Sequence, residues 1–111
     1  MTSAELAERA AAFRAARPDV PVVERLDAQV LEAVKSGGGT LEMGSWHTCE
    51  TTHCRAGWAI HLAGPSGADL ESLVGPEHAG RLIYLASTGR VPDFFADNDA
   101  ALEDIKRCAA S

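Results

Sequence analysis

The residues with the most reactive side chains lie close together, between Trp46 and His61. Both tryptophans, two of the three cysteines and three of the four histidines fall within this stretch. Packing alone does not require such a concentration in a small domain. We therefore interpret residues 46–61 as the functional segment, and three kinds of chemistry compete for it: thiol redox chemistry, zinc binding and ligand binding.

The first interpretation is a thiol-dependent redox protein that uses Cys54 and Cys49. We predict that Thr51 or Thr52 caps a helix, which places Cys54 in its first turn. Free backbone N–H groups and the helix dipole stabilise a thiolate there, and Arg55 adds positive charge, so Cys54 is predicted to be the more acidic thiol. Cys49 would then resolve an oxidised Cys54. The competing interpretation is that Cys54 is a small buried core residue.

The second interpretation is a zinc-binding protein, because thiols and imidazoles are donors that zinc takes. The spacing matches no standard zinc finger. Cys54 and His61 are two helical turns apart, roughly 10 Å, which is too far for one ion. A fourth ligand would have to come from elsewhere, such as His78 or Cys108. We therefore predict no cofactor and no metal needed for folding. The ligands of the zinc alternative are His47, Cys49 and Cys54.

The third interpretation, which we favour, is a small binding or interaction module and not an enzyme. Backbone N–H groups at the start of the helix converge with Arg55 and favour an anion. The predicted partner is therefore a protein or a small anionic ligand. The chain has no nucleotide fingerprint, no Ser-His-Asp order and no paired-carboxylate motif. The candidate ligand-binding residues are Trp46, His47, Thr51, Thr52, His53, Arg55 and His61.

The string WHTCETTHCRAGWAIHLAG resembles a motif of uncharacterised bacterial and phage-encoded proteins, whose core is C-x-T-T-x-C-x-A-G-W. The likeness extends to the tail PDFFADNDAALEDIKR and so covers roughly the last two-thirds of the chain. The resemblance implies a family without an established function. It therefore implies no activity, cofactor or partner for these residues.

The elements that must position this segment are predicted to be helices. Hydrophobic periodicity indicates a mostly α, single compact domain over residues 1–111, with five to six short helices. Thr2 and Glu5 have the spacing of a capping box, which begins an N-terminal surface helix within residues 1–18. The alternation of Leu41 and Met43 allows one small β element near residues 40–46. The other helices are predicted to begin near Asp19-Pro21, Thr52, Ala68, Pro76 and Asp97.

The core is predicted from the apolar faces of the central and last helices. Six side chains should be largely buried, namely Trp58, Ile60, Leu62, Leu82, Leu85 and Ile105.

Composition and charge exclude several classes of partner. The net charge is −6, and the ten basic residues are scattered among sixteen acids, which argues against nucleic-acid binding. No apolar run approaches the roughly 20 residues that span a bilayer, and the N-terminus does not have the pattern of a signal peptide. We expect a cytoplasmic protein, in which cysteines are usually free, catalytic or metal-bound.

Overall fold

A computed structural model describes residues 2–44, 47–49 and 52–110, and for residues 47–49 only the backbone. It confirms a mostly α single domain with a small sheet. The described helices are α1 (Ser3–Ala16), α2 (Leu26–Lys35), α3 (Arg55–Leu62), α4 (Gly64–Val74), α5 (Pro76–Thr88) and α6 (Asn98–Ala109). The described strands are β1 (Thr40–Leu41), β2 (His47–Cys49) and β3 (Thr52–His53). No helix in these residues is long and apolar enough to cross a bilayer.

Two helices begin where local sequence signals predict. The backbone N–H of Glu5 donates to the Thr2 hydroxyl at 3.1 Å, and the Glu5 carboxylate accepts from the Thr2 N–H at 3.3 Å, so the capping box forms. The Asp97 carboxylate caps α6 by accepting from the Ala100 N–H at 2.8 Å. Both caps are local, and their residue types alone were enough to predict them.

The predicted start of α2 near Pro21 is wrong. Residues 20–23 are not helical, and the side chains of Val20 and Val23 are buried in the core. The Val23 N–H donates to the Ser87 hydroxyl at 2.9 Å. The helix begins only after Arg25, whose φ of 51° and ψ of 47° are left-handed. Burial of the two valines against the other helices outweighs the local preference for a helix after Pro21.

The predicted cap of α3 is also wrong. Thr52 lies in β3, and Thr51 lies outside the described residues. Strand β3 is the centre of a three-stranded sheet, parallel to β1 and antiparallel to β2. The N-cap is Cys54, whose Sγ accepts from the Gly57 N–H at 3.3 Å. Sheet pairing extends the chain to His53, so the helix begins later than residue types alone predicted. The fourth helix likewise begins at Gly64 and not at Ala68.

Helices α3 and α5 cross closely at the centre of the core. A Cβ on Gly80 would lie 2.6 Å from the Ala56 Cβ, so only glycine permits this approach. Four of the six side chains predicted to form the core are buried, namely Trp58, Ile60, Leu82 and Ile105. The other two, Leu62 and Leu85, are only half-buried.

Candidate functional site

Arg55 lies in the interior and not at the surface. Its side chain is 1% exposed and is held by groups from three other helices. The Nε donates to the Tyr84 hydroxyl at 3.0 Å, Nη2 donates to Asp27 Oδ1 at 2.9 Å, and Nη1 donates to Asp104. The Tyr84 hydroxyl in turn donates to the same Asp27 oxygen at 2.7 Å. The guanidinium therefore faces its own carboxylates, and its predicted place in an anion site at the start of α3 is wrong.

The charges in this network stabilise one another. Burial disfavours the charged form of Arg55, but Tyr84, Asp27 and Asp104 outweigh it and raise its pKa above the ordinary value. Burial also disfavours the charged form of Asp104, but hydrogen bonds from Arg90, Arg55 and Arg107 outweigh it and lower its pKa. Burial, helped by Asp27, raises the pKa of Tyr84 well above 10, so the phenol stays protonated as a donor.

Cys54 does not have the environment of an acidic thiol. Its side chain is 1% exposed, and burial raises its pKa, with the Gly57 N–H opposing this only in part. The expectation that the helix entrance lowers the pKa of Cys54 is therefore wrong in direction, whereas its comparison with Cys49 lies outside the described side chains. The residue type suits this position because the sulfur is a weak acceptor that can cap a helix inside the core.

We expect Cys54 to resist alkylation in the native protein. Because the thiol is buried, iodoacetamide can reach it only when the structure unfolds locally. Cys54 in the native protein should therefore react on the order of 100-fold more slowly than in the protein unfolded by urea. Peptide mass spectrometry after timed labelling at neutral pH would measure the rates, with the half-exposed Cys108 as internal reference. Labelling of Cys54 as fast as in urea would restore the redox interpretation.

The histidines predicted as ligands are divided between the interior and the surface. His53 is 3% exposed and stacks on the exposed His61, with ring centroids 4.9 Å apart. The Trp58 ring is nearly perpendicular to both, with centroids 4.7 Å from His53 and 5.4 Å from His61. The remaining candidates are not described in their side chains: Trp46 and Thr51 lie outside the described residues, and for His47 and Cys49 only the backbone in β2 is described.

No group of three metal donors occurs among the described side chains. The sulfur of Cys54 caps α3 by accepting from the Gly57 N–H. The predicted distant ligands lie on different helices, His78 on α5 and Cys108 on α6. His47 and Cys49 lie outside the described side chains, so the zinc alternative stays a prediction.

A cavity lies on another face of the same network, between α1, the start of α2, and the ends of α5 and α6. Its volume is about 360 Å³, which is within the range of small-molecule sites. Three arginines line it together with alanine and leucine side chains and three hydroxyl residues. We call it the arginine cavity; its lining is Ser3, Leu6, Ala7, Ala10, Arg14, Arg25, Leu26, Asp27, Ala28, Ser87, Thr88, Arg90, Cys108 and Ala109.

The arginines of this cavity are held differently. Arg14 donates from Nη1 to the Ala86 carbonyl at 2.9 Å, which fixes its head at the end of α5. Arg90 donates to both Asp104 oxygens and to Cys108 Sγ. Arg25 makes no hydrogen bond or ion pair through its side chain with any described residue. No signal in the sequence indicates this site, because Arg14, Arg25 and Arg90 are far apart in the chain and follow no motif.

The first turn of α2 also faces the arginine cavity. Leu26, Asp27 and Ala28 line it, and no side chain caps this helix start. Unpaired backbone N–H groups and the positive end of a helix favour anions. Asp27 joins the start of α3 to the arginine cavity, because it binds Arg55 and also lines the cavity.

Comparison of the chain with family models, with curated proteins and with solved structures finds no match, so the resemblance of the Trp46–His61 motif to uncharacterised proteins stays a prediction.

Proposed function

We propose that the protein is a small binding module that holds an anionic small molecule in the arginine cavity. The observation that carries this proposal is the convergence of Arg14, Arg25 and Arg90 on one cavity in a chain of net charge −6. Guanidinium groups bind carboxylates and phosphates through charge-assisted hydrogen bonds. The apolar lining suits a ligand with an apolar body beside its acidic group.

The backbone of Arg25 supports a binding role for this residue. A left-handed conformation costs an L residue roughly 1–2 kcal/mol, and here it is occupied by an arginine and not by glycine. Strained conformations are concentrated at functional sites, where the gain in function offsets the cost. In this position Arg25 both ends the segment before α2 and brings its side chain to the cavity.

The polar groups in the cavity favour binding over catalysis. The Ser87 hydroxyl accepts from the Val23 N–H, and the Thr88 hydroxyl contacts the carbonyls of Tyr84 and Arg90. Burial, helped by Asp27 and Asp104, raises the pKa of Cys108, and Arg90 opposes this only in part. None of these three groups has the environment of an activated nucleophile. A cytoplasmic location and a protein partner at the Trp46–His61 segment remain predictions.

Binding of two simple probes would test the proposal. Phenyl phosphate and benzoate each join one acidic group to an apolar ring, and isothermal titration calorimetry would measure their affinity at low ionic strength. We expect Arg25→Gln to weaken binding about tenfold, because one charge-assisted hydrogen bond is lost. Affinity should also fall as salt is raised.

The matched control is Arg81→Gln, which removes an exposed arginine on α5 that does not line the cavity. It changes the net charge equally and should leave the affinity unchanged. If neither probe binds at millimolar concentration, or if both variants bind as tightly as the original protein, the arginine cavity is not the binding site.

A further inference from the structure

Asp27 brings a buried carboxylate to the arginine cavity. Its side chain is 6% exposed and lies in the first turn of α2, where it lines the cavity beside Arg25 and Leu26. Two described donors hold it, and both use one oxygen: Arg55 Nη2 and the Tyr84 hydroxyl donate to Oδ1 at 2.9 and 2.7 Å. These donors approach from α3 and α5, in the interior. Oδ1 is therefore occupied by contacts within the protein.

The second oxygen of Asp27, Oδ2, is open to another partner. It forms no hydrogen bond with a residue in the described part of the chain. Every covered side-chain oxygen or nitrogen of the buried and half-buried residues described there has a hydrogen-bond partner, so Oδ2 belongs to the small exposed part of the side chain. Because Asp27 lines the arginine cavity, that exposed part faces the cavity. An ionised carboxylate only accepts hydrogen bonds, so the cavity offers an acceptor beside its arginines.

The group that donates to this oxygen should be uncharged. Arg55 already supplies the counter-charge of the Asp27 carboxylate, and three more arginines line the same cavity. An ammonium group among these guanidinium groups would be repelled by like charges. A hydroxyl donates one hydrogen bond without adding charge. The surroundings of Asp27 therefore favour a neutral hydroxyl over an amine.

We propose that the ligand is a hydroxy acid, whose acidic group binds Arg25 and whose hydroxyl donates to Asp27 Oδ2. This inference rests on the proposed function, because it assigns a second polar contact to the same anionic ligand. Arg25 and Asp27 are two residues apart at the start of α2, so one small molecule can reach both. Asp27 would select among acids, because a buried acceptor that is left without a donor weakens binding.

Calorimetry with matched benzoates would test the inference on the unaltered protein. The hydroxy probes are meta- and para-hydroxybenzoate, and each is compared with its methoxybenzoate counterpart, which has the same acid and ring but cannot donate. We expect at least one hydroxy probe to bind about tenfold more tightly than its methoxy counterpart, because hydrogen bonds to a charged group are the stronger ones. The meta- and para-(aminomethyl)benzoates, whose amine is charged, should bind less tightly than that hydroxy probe.

Asp27→Asn separates this contact from a general effect of the hydroxyl. Arg55 and Tyr84 both donate to Oδ1, so the asparagine amide should keep its oxygen on them and turn its NH₂ group towards the cavity. The site would then donate, and we expect the preference for the hydroxy probe to fall below about twofold or to reverse. The matched control is Asp69→Asn, at an exposed position on α4 that does not line the cavity, which should keep the full preference.

A second measurement serves if the Asp27→Asn protein fails to fold. In the unaltered protein, labelled with carbon-13 at its aspartate carboxyl groups, the Asp27 resonance should shift when the hydroxy probe is added. The methoxy counterpart should shift it much less, because only the hydroxyl can donate to Oδ2. Equal shifts with both probes would contradict the contact.

The outcomes distinguish this inference from the proposed function. If benzoate binds in an Arg25-dependent manner but hydroxy and methoxy probes bind equally, the hydroxyl is wrong and the proposed function stands. The same conclusion follows if an aminomethyl probe binds most tightly, or if Asp27→Asn keeps the full preference. If no probe binds at millimolar concentration, the proposed function fails and this inference fails with it.

Discussion

Replacing Arg55 by methionine should lower the free energy of unfolding by about 3–5 kcal/mol. The methionine would fill much of the volume, but the Asp27 carboxylate, 6% exposed, would be left without its counter-charge. Asp104 would lose one partner and keep Arg90 and Arg107, so most of the cost comes from Asp27. Urea unfolding followed by tryptophan fluorescence would measure the change.

Two further variants keep this prediction testable if the single variant fails to fold. Asp27→Asn combined with Arg55→Met removes the unpaired charge, so the double variant should be more stable than the sum of the single effects predicts. Arg81→Met, at an exposed position, should change stability by less than about 0.5 kcal/mol. A loss below about 1 kcal/mol for Arg55→Met would mean that the network contributes little to the fold.

Replacing Trp58 by alanine should cost about 3–5 kcal/mol, the usual range for a large buried aromatic side chain. The indole is 4% exposed, and its Nε1 donates to the Thr40 carbonyl at 2.9 Å, which ties α3 to β1. Gly39 makes room for the ring, since a Cβ there would lie 2.5 Å from the indole. Alanine would leave a cavity and remove the hydrogen bond to the Thr40 carbonyl.

Thermal unfolding followed by circular dichroism would measure the loss, with Phe95→Ala as the control. Phe95 is an aromatic residue that is 73% exposed, so its removal should change stability by less than about 0.5 kcal/mol. Equal effects of the two substitutions would show that Trp58 is not a core residue. A stable Trp58→Ala protein would instead favour the predicted ligand-binding role of the Trp46–His61 segment.

Four of the five positions in the string Cys54-Arg55-Ala56-Gly57-Trp58 have a structural explanation. Cys54 caps α3 through its contact with the Gly57 N–H, and Arg55 joins α3 to Asp27, Tyr84 and Asp104. Ala56 is the small residue against which α5 packs at Gly80, and Trp58 fills the space above Gly39. The motif thus builds the centre of the domain. It reaches the proposed binding site only through Arg55, whose partner Asp27 lines the arginine cavity.

Local signals in the sequence determined the class of the fold and several element ends. The capping box of Thr2 and Glu5 and the Asp97 cap of α6 each depend on groups a few residues apart, so composition and spacing were enough to predict them. The spacing of the apolar residues along α3 and α6 likewise predicted that Trp58 and Ile105 are buried.

The tertiary structure alone decided the start of α2, the environment of Cys54 and the position of the candidate site. Arg55 forms hydrogen bonds with Asp27, Tyr84 and Asp104, which are 28, 29 and 49 residues away in the chain. Arg14 forms a hydrogen bond with Ala86, which is 72 residues away. No periodicity relates residues at such separations, because their contacts depend on how whole helices pack and not on the repeat of one helix. The sequence therefore indicated where cysteines and histidines cluster, whereas only packing brought distant arginines to one cavity.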